Sequence, residues 1–277
     1  MNKQIKPFLR WAGGKQNLIK FLIKFVPEGY NKHNYYEPFL GAGSMFFKII
    51  PNNATLSDYN FHLINCYKMI AEYPYKIHDL LKLLLRNNSK EYYYKIRTNF
   101  NKNIKEFSYV QAAKFIYLNK TCFNGIYRVN KEGTFNVPYG RKEHLSIPTL
   151  EYFNNLSLIL KKVKLECFSY EKIDNLVKEG DFIYLDPPYP PLNGSSYFSH
   201  YTKDRFFSAD QKRLAVFAEK LSNKGCKILI SNADTKEIRK LYFKWYKKSI
   251  NVVRYISCKS ERKRVKELAI TNYKVRL

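Results

Sequence analysis

The sequence predicts an α/β protein: a mostly parallel sheet covered by helices on both faces, with one inserted module. Three observations carry this. From residue 180 onward, apolar runs of strand length alternate with amphipathic runs of helix length, the rhythm of a parallel sheet. Two glycine-bearing turns, in FLRWAGGK and EPFLGAGS, each open a helix. A long helical stretch ending in a hairpin pattern, roughly 61–148, breaks the alternation. The expected division is therefore a core unit of residues 1–60 and 149–277 around an insertion of 61–148.

In chain order, FLRWAGGKQNLIKFLIKFV reads as a glycine turn entering a helix, with Leu18, Leu22 and Phe25 on one face. NYYEPF is a short strand, LGAGSMFFKII a turn feeding a helix, and ATLSDYN a second strand. Residues 61–120 are mostly helical, and Phe107, Val110, Ala113 and Tyr117 mark one apolar face. IYRVNKEGTFNVPYGR has the pattern of a β-hairpin with Gly133 in its turn. Strand 182–186 precedes a helix over 208–224, where Ser208 and Gln211 suggest a capping box and Gly225 the stop. Leu214, Phe217, Ala218 and Leu221 form its buried face. CKILISN is a strand, TKEIRKLYFKW a helix, and SINVVRYI and LAITNY two late strands that should pair. There is no internal repeat and no low-complexity linker.

The 277 residues are 45% hydrophobic, enough for one sizeable core. MNKQIKPFLRW lacks an apolar leader, and no run approaches the roughly 18 apolar residues of a membrane span. A soluble, cytoplasmic chain with no membrane attachment is expected. The five cysteines are odd in number, irregularly spaced and without C-x-x-C, which argues against a disulfide scaffold and a zinc ribbon. No metal-ligand pattern stands out. The net charge of +26 points to a polyanionic partner, nucleic acid being the usual one. Enrichment in Lys, Asn, Ile and Tyr, as an AT-rich coding sequence produces, accounts equally well for part of that charge.

Three stretches carry chemistry. In EPFLGAGS, Gly41 and Gly43 follow a strand and open a helix, where backbone can approach a ligand. Asp58 ends the next strand, 17 residues after Gly41, about where nucleotide-binding sheets hold ribose hydroxyls. The same residues also fit plain turns, with Asp58 in an Asx turn. In FIYLDPPYPPLNG, two prolines end a buried strand and leave Asp186 beside Tyr189 on a stiff turn. A carboxylate and a fixed carbonyl match the two N–H donors of an exocyclic amine, and Tyr189 offers a face for a base. A proline-rich turn with a solvated acid is the plain alternative. FLRWAGGK reads either as a wall over a ligand or as a loop that starts a helix.

The order FLRWAGGK, EPFLGAGS, LSDYN, FNGIYRVN…GTFNVPYGR, YLDPPYPPL and ISNADT resembles the Dam family of DNA adenine-N6 methyltransferases over nearly the whole chain. The resemblance implies a Rossmann-like methyltransferase sheet, with 61–148 as the DNA target-recognition domain. It also implies S-adenosylmethionine as cofactor, double-stranded DNA as partner, GATC as target, and no obligatory protein partner. Trp11, Lys15, Asp58 and Asp186 match positions used for the cofactor, and Phe39, Gly41 and Gly43 the loop beneath it. Asp186, Pro187 and Tyr189 match the catalytic turn that accepts the amine of a flipped adenine and stacks on its ring. Arg10, Asn124, Ile126, Arg128, Pro138 and Arg141 match positions that contact or hold the target bases. Phe123 and Lys142 stand where relatives often carry Tyr: the first keeps a ring without its hydroxyl, the second exchanges a ring for a phosphate contact. KSERKRVKE (259–267) reads either as a phosphate-gripping loop between the last two strands, where Lys263 and Arg264 suit contacts that fix position rather than sequence, or as a solvated hairpin tip. The polar-aromatic stretch 195–206 is expected to fold over DNA.

A methyltransferase for RNA adenine or a glutamine side chain has no need of the inserted module. A silent DNA-binding module has no need of Asp58 and DPPY. A base deaminase requires H-x-E and P-C-x-x-C zinc motifs, which this sequence lacks.

Overall fold

The fold is given by a computed structural model describing residues 5–11, 13–141, 145–189, 206–255 and 262–275, with backbone only at 253–255 and 262–264. Among the described residues, seven strands form one sheet: β1 (Tyr35–Glu37), β2 (Ala54–Ser57), β3 (Lys164–Glu166), β4 (Phe182–Leu185), β5 (Lys227–Ala233), β6 (Tyr246–Tyr255) and β7 (Arg262–Thr271). Their order is β3-β2-β1-β4-β5-β7-β6. The first five are parallel, and β7 runs antiparallel between β5 and β6. This is the Rossmann-like methyltransferase sheet expected, including the late antiparallel pair.

Side chains alternate across the sheet with the two-residue period of strands. Tyr35, Leu56, Phe182, Tyr184, Leu229 and Ala269 enter one core; Tyr36, Ile183, Leu185, Ile228, Ile230 and Ile270 enter the other. The described helices are α1 (Ile19–Leu22), α2 (Phe46–Ile49), α3 (Phe61–Glu72), α4 (Pro74–Arg86), α5 (Lys90–Lys102), α6 (Tyr109–Thr121), α7 (Leu150–Leu160), α8 (Ser208–Asn223) and α9 (Lys236–Leu241). Leu214, Ala218 and Leu221 of α8 and Ile238 of α9 cover the second face; α1 to α7 share the first core. Side-chain caps at Asn60, Ser89, Ser108, Thr149 and Thr235 start α3, α5, α6, α7 and α9. No helix among the described residues is long and apolar enough to cross a membrane. Cys66, Cys122 and Cys226 are buried free thiols, Cys167 is an exposed one, and Cys258 lies outside the described residues.

Four local expectations change. Phe107 precedes α6, whose N-cap is Ser108, and is exposed; α6 is buried on nearly every side and needs no single apolar stripe. The 126–141 hairpin is a looped turn held by the isolated bridges Cys122–Tyr139 and Val129–Phe135; Gly133 does occupy its turn, at φ +82°. The start of α8 is closed one residue earlier than expected, by the Phe207 N–H donating to Asp210 Oδ2 at 2.7 Å. Ser208 is the first helical residue, and Gln211 turns inward instead of capping. Strand β3 was not anticipated: three residues with Lys164 and Glu166 at its ends carry no apolar run.

Candidate active site

β1 pairs with β2 on one side and β4 on the other, so the chain reverses strand order here, and ligands gather beyond the carboxyl ends at such a point. The loop after β1 crosses this edge with Gly41 at φ +49° and Gly43 at φ +68°, a backbone region that costs other residues about 1–2 kcal/mol. The Gly41 N–H donates to Asp58 Oδ2 at 3.0 Å, and the Asn60 N–H to Oδ1 at 2.9 Å. Asp58 therefore forms the Asx turn and also ties the end of β2 to the glycine loop. Burial pushes its carboxyl up to about 6 against those hydrogen bonds. A Cβ on Gly41 would lie 2.9 Å from Trp11 Cδ1; the indole occupies that space and stacks on Tyr127 at 5.5 Å.

The turn after β4 is held just as closely. Lys15 Nζ, almost fully buried, pairs with Asp186 Oδ1 at 2.8 Å and donates to the Gly13 carbonyl at 2.7 Å. It also lies 4.4 Å above the Tyr189 ring. Ser231 Oγ donates to the same Asp186 oxygen at 2.7 Å and accepts from Tyr184 Oη at 2.9 Å. Both donors therefore converge on Oδ1. The Tyr189 hydroxyl donates to Glu267 Oε2 at 2.9 Å. Burial raises the Asp186 carboxyl above the usual range, partly offset by Lys15 and Ser231. Beneath lies Glu37, accepting from the Tyr35 hydroxyl at 2.7 Å and the Phe46 N–H at 3.0 Å. Burial, aided by Asp186, pushes it up to about 8.

The fold brings Trp11, Gly41 and Asp58 together, and Lys15, Asp186 and Tyr189 together. Phe39 goes elsewhere: its ring packs with the second core, stacked on Tyr170 at 5.3 Å.

A separate surface gathers the basic and loop residues. Asn119 Oδ1 accepts the Arg10 N–H at 2.9 Å, and its Nδ2 donates to the Arg10 carbonyl at 2.7 Å and the Gly125 carbonyl at 3.3 Å. The Phe123 N–H donates to the Pro138 carbonyl at 2.9 Å. Asn124 and Arg141 sit at positive φ, 55° and 48°. Arg10, Phe123, Asn124, Arg128, Pro138 and Arg141 are exposed and Ile126 half-buried, with Arg128 Nε on Asn136 Oδ1 at 2.8 Å. Lys142, the 195–205 stretch and the side chains of Lys263 and Arg264 lie outside the described residues; the backbone of 262–267 is not a loop but part of β7, where pairing with β6 extends the strand.

Comparison with known proteins identifies the family. Residues 11–256 match the family model of D12 class N6 adenine-specific DNA methyltransferases. The chain belongs to that family. It is 39% identical to type II methyltransferase M.MjaIII of Methanocaldococcus jannaschii, over 98% of this chain and 100% of the relative. It is 36% identical to type II methyltransferase M1.LlaDCHI of Lactococcus lactis, over 97% and 96%. It is 34% identical to the DNA adenine methylase of Escherichia coli K12, over 96% and 95%. It is thus a site-specific, adenine-directed DNA methyltransferase.

Several residues of the methyltransferase site escaped sequence reasoning. Ser231 lies inside ISNADT, but its contact with Asp186 follows from the β4–β5 register, which pairs Leu185 with Ile230. Glu37 had a signal, an acid inside the buried run YYEPF. Glu267 reaches Tyr189 from an antiparallel strand 78 residues away, and no local pattern announces it.

Proposed function

We propose that the methyltransferase transfers a methyl group from S-adenosylmethionine to N6 of a flipped adenine in duplex DNA, at GATC. The observation that carries this is the Asp186 carboxylate, held by Lys15 and Ser231 on one oxygen, with Lys15 also lying over the Tyr189 ring. Asp58, Asp186 and Glu267 stand at this edge beside the ammonium of Lys15, an acidic setting that suits a sulfonium cofactor. Gly41 and Gly43 form the cradle, and Trp11, Lys15, Asp58 and Asp186 hold the group; Phe39, turned into the second core, is left out of it.

S-adenosylmethionine supplies an electrophilic methyl on sulfur. The adenine amine is a poor nucleophile because its lone pair is delocalised into the ring. Asp186 and the Pro187 carbonyl accept its two hydrogens and so direct the lone pair out of the ring plane. Tyr189 stacks on the base, which must leave the duplex to reach this turn. The raised Asp186 carboxyl is suited to receive the amine proton. Positioning and fixed dipoles provide most of the rate gain. Arg10, Asn124, Ile126, Arg128, Pro138 and Arg141 form the face that reads the site, with Arg128 and Arg141 suited to guanine acceptors. Phe123 packs beside the base, and Lys142, Lys263 and Arg264 add phosphate contacts.

Tritiated methyl transfer to a duplex with one GATC, beside one scrambled only there, tests this. Label on the GATC duplex alone is expected. Equal label on both would remove GATC and the reading of Arg128 and Arg141. No label on either, with cofactor bound, would point to another amine.

A further inference from the structure

The turn Asp186–Tyr189 is poor in donors. Pro187 and Pro188 carry no N–H, so the turn cannot brace itself there and must be held from outside. One hold comes from a distant helix. Gln211, fully buried in α8, donates from Nε2 to the Pro188 carbonyl at 2.9 Å. Its Oε1 accepts from Asn232 Nδ2 at 3.0 Å. Asn232, also fully buried, sits near the end of β5, and its Oδ1 accepts the Ala233 N–H at 2.8 Å. That bond settles both amides: Asn232 has only its NH₂ to offer Gln211, so Gln211 must give oxygen to Asn232 and nitrogen to Pro188.

The Pro188 carbonyl belongs to the peptide that leads into Tyr189. Fixing that plane fixes where the Tyr189 ring leaves the backbone, and Glu267 holds the far end of the same ring at its hydroxyl. We infer that Gln211 and Asn232 are positioning residues for methyl transfer, holding the turn so that the Pro187 carbonyl and the Tyr189 ring face the adenine amine. This rests on Asp186–Tyr189 being the grip on adenine. The competing role is simple glue between α8 and β5, which would affect stability and leave the chemical step alone.

The test measures single-turnover transfer of tritiated methyl from S-adenosylmethionine to a GATC duplex, with both ligands saturating. Cofactor affinity, duplex affinity and Tm are measured alongside for each variant. Gln211→Leu should slow transfer on the order of 10²-fold, the scale of a roughly 1 Å misplacement, with both affinities unchanged. Gln211→Glu keeps the shape, but its carboxylate has no donor for Pro188. Its rate relative to wild type should recover as pH falls, because the protonated acid donates again. Adding Asn232→Ala to Gln211→Leu should cost little more than Gln211→Leu alone, since the two act as a unit. A wild-type single-turnover rate in a stable Gln211→Leu protein, or a loss confined to Tm or affinity, overturns the inference. If Gln211→Leu does not fold, a Gln211→Glu rate ratio that stays flat with pH overturns it equally. Asp186→Ala separates the two levels. Retained transfer in that variant removes the grip itself; an inactive Asp186→Ala beside fully active Gln211 variants removes only the role of Gln211.

Discussion

Ser231→Ala has effects that can be worked out bond by bond. The serine hydroxyl donates to Asp186 and accepts from Tyr184, which is fully buried. Losing a hydrogen bond to a charged acceptor costs about 1.5–3 kcal/mol, and an orphaned buried hydroxyl about 1–3 kcal/mol. Lys15 still holds Asp186, which favours the low end, so about 3 kcal/mol in total is expected. At about 2–4 °C per kcal/mol for a chain of this size, Tm should fall by about 6–12 °C. Tyr184→Phe combined with Ser231→Ala removes the orphan and should recover about half of that loss. The rate should not recover: both variants leave the carboxylate held by Lys15 without Ser231 and should transfer methyl about tenfold more slowly, or about 1.4 kcal/mol. The Ser231 hydrogen bond also holds the Asp186 carboxyl down against burial, so the acid limb of the pH–rate profile should move upward. Thermal melts and single-turnover assays on the three proteins decide it. Equal destabilisation of the single and double variants, or full activity in the double, would refute the reasoning.

Three further outcomes are expected. Glu37 keeps its proton up to about pH 8 when folded but only to its ordinary 4.5 when unfolded; its contribution to stability is therefore full below that lower value and lost as pH rises through the higher one. Glu37→Gln, which can still accept both hydrogen bonds through Oε1, should flatten the decline across that window; denaturant melts at several pH values would show an unchanged slope if the account is wrong. Gly41→Ala places a methyl against Trp11 at positive φ and should destabilise the loop by about 1–2 kcal/mol and weaken cofactor binding, measured by calorimetry. Arg128→Ala should cost about 1–3 kcal/mol on GATC and relax the preference at one base pair; a uniform loss on all duplexes would make it a phosphate contact.

The sheet was legible because its central strands are fully buried runs such as FIYL and ILIS, and burial on both faces leaves a continuous apolar signature. The edge strand β3 was not, since an exposed three-residue strand need not be apolar. The glycine loop and DPPY were legible because their backbone demands restrict residue choice. What holds those turns was not. Ser231, Glu267 and Gln211 act across 45, 78 and 23 residues, and such contacts depend on strand register and helix docking rather than on spacing. Gln211 shows how a local rule misleads: three residues after Ser208 it mimics a capping partner, while its amide is committed to Pro188. Phe39 lies beyond the end of β1, and its ring packs with Tyr36 in the second core, against the alternation that would have sent it with Tyr35.

The most direct measurement compares wild type with Asp186→Ala in tritiated methyl transfer to a GATC duplex, with duplex affinity measured on both. The account predicts that transfer is abolished while the variant still binds the duplex. Transfer near the wild-type rate would contradict it and take Asp186, and with it the turn it anchors, out of the chemistry.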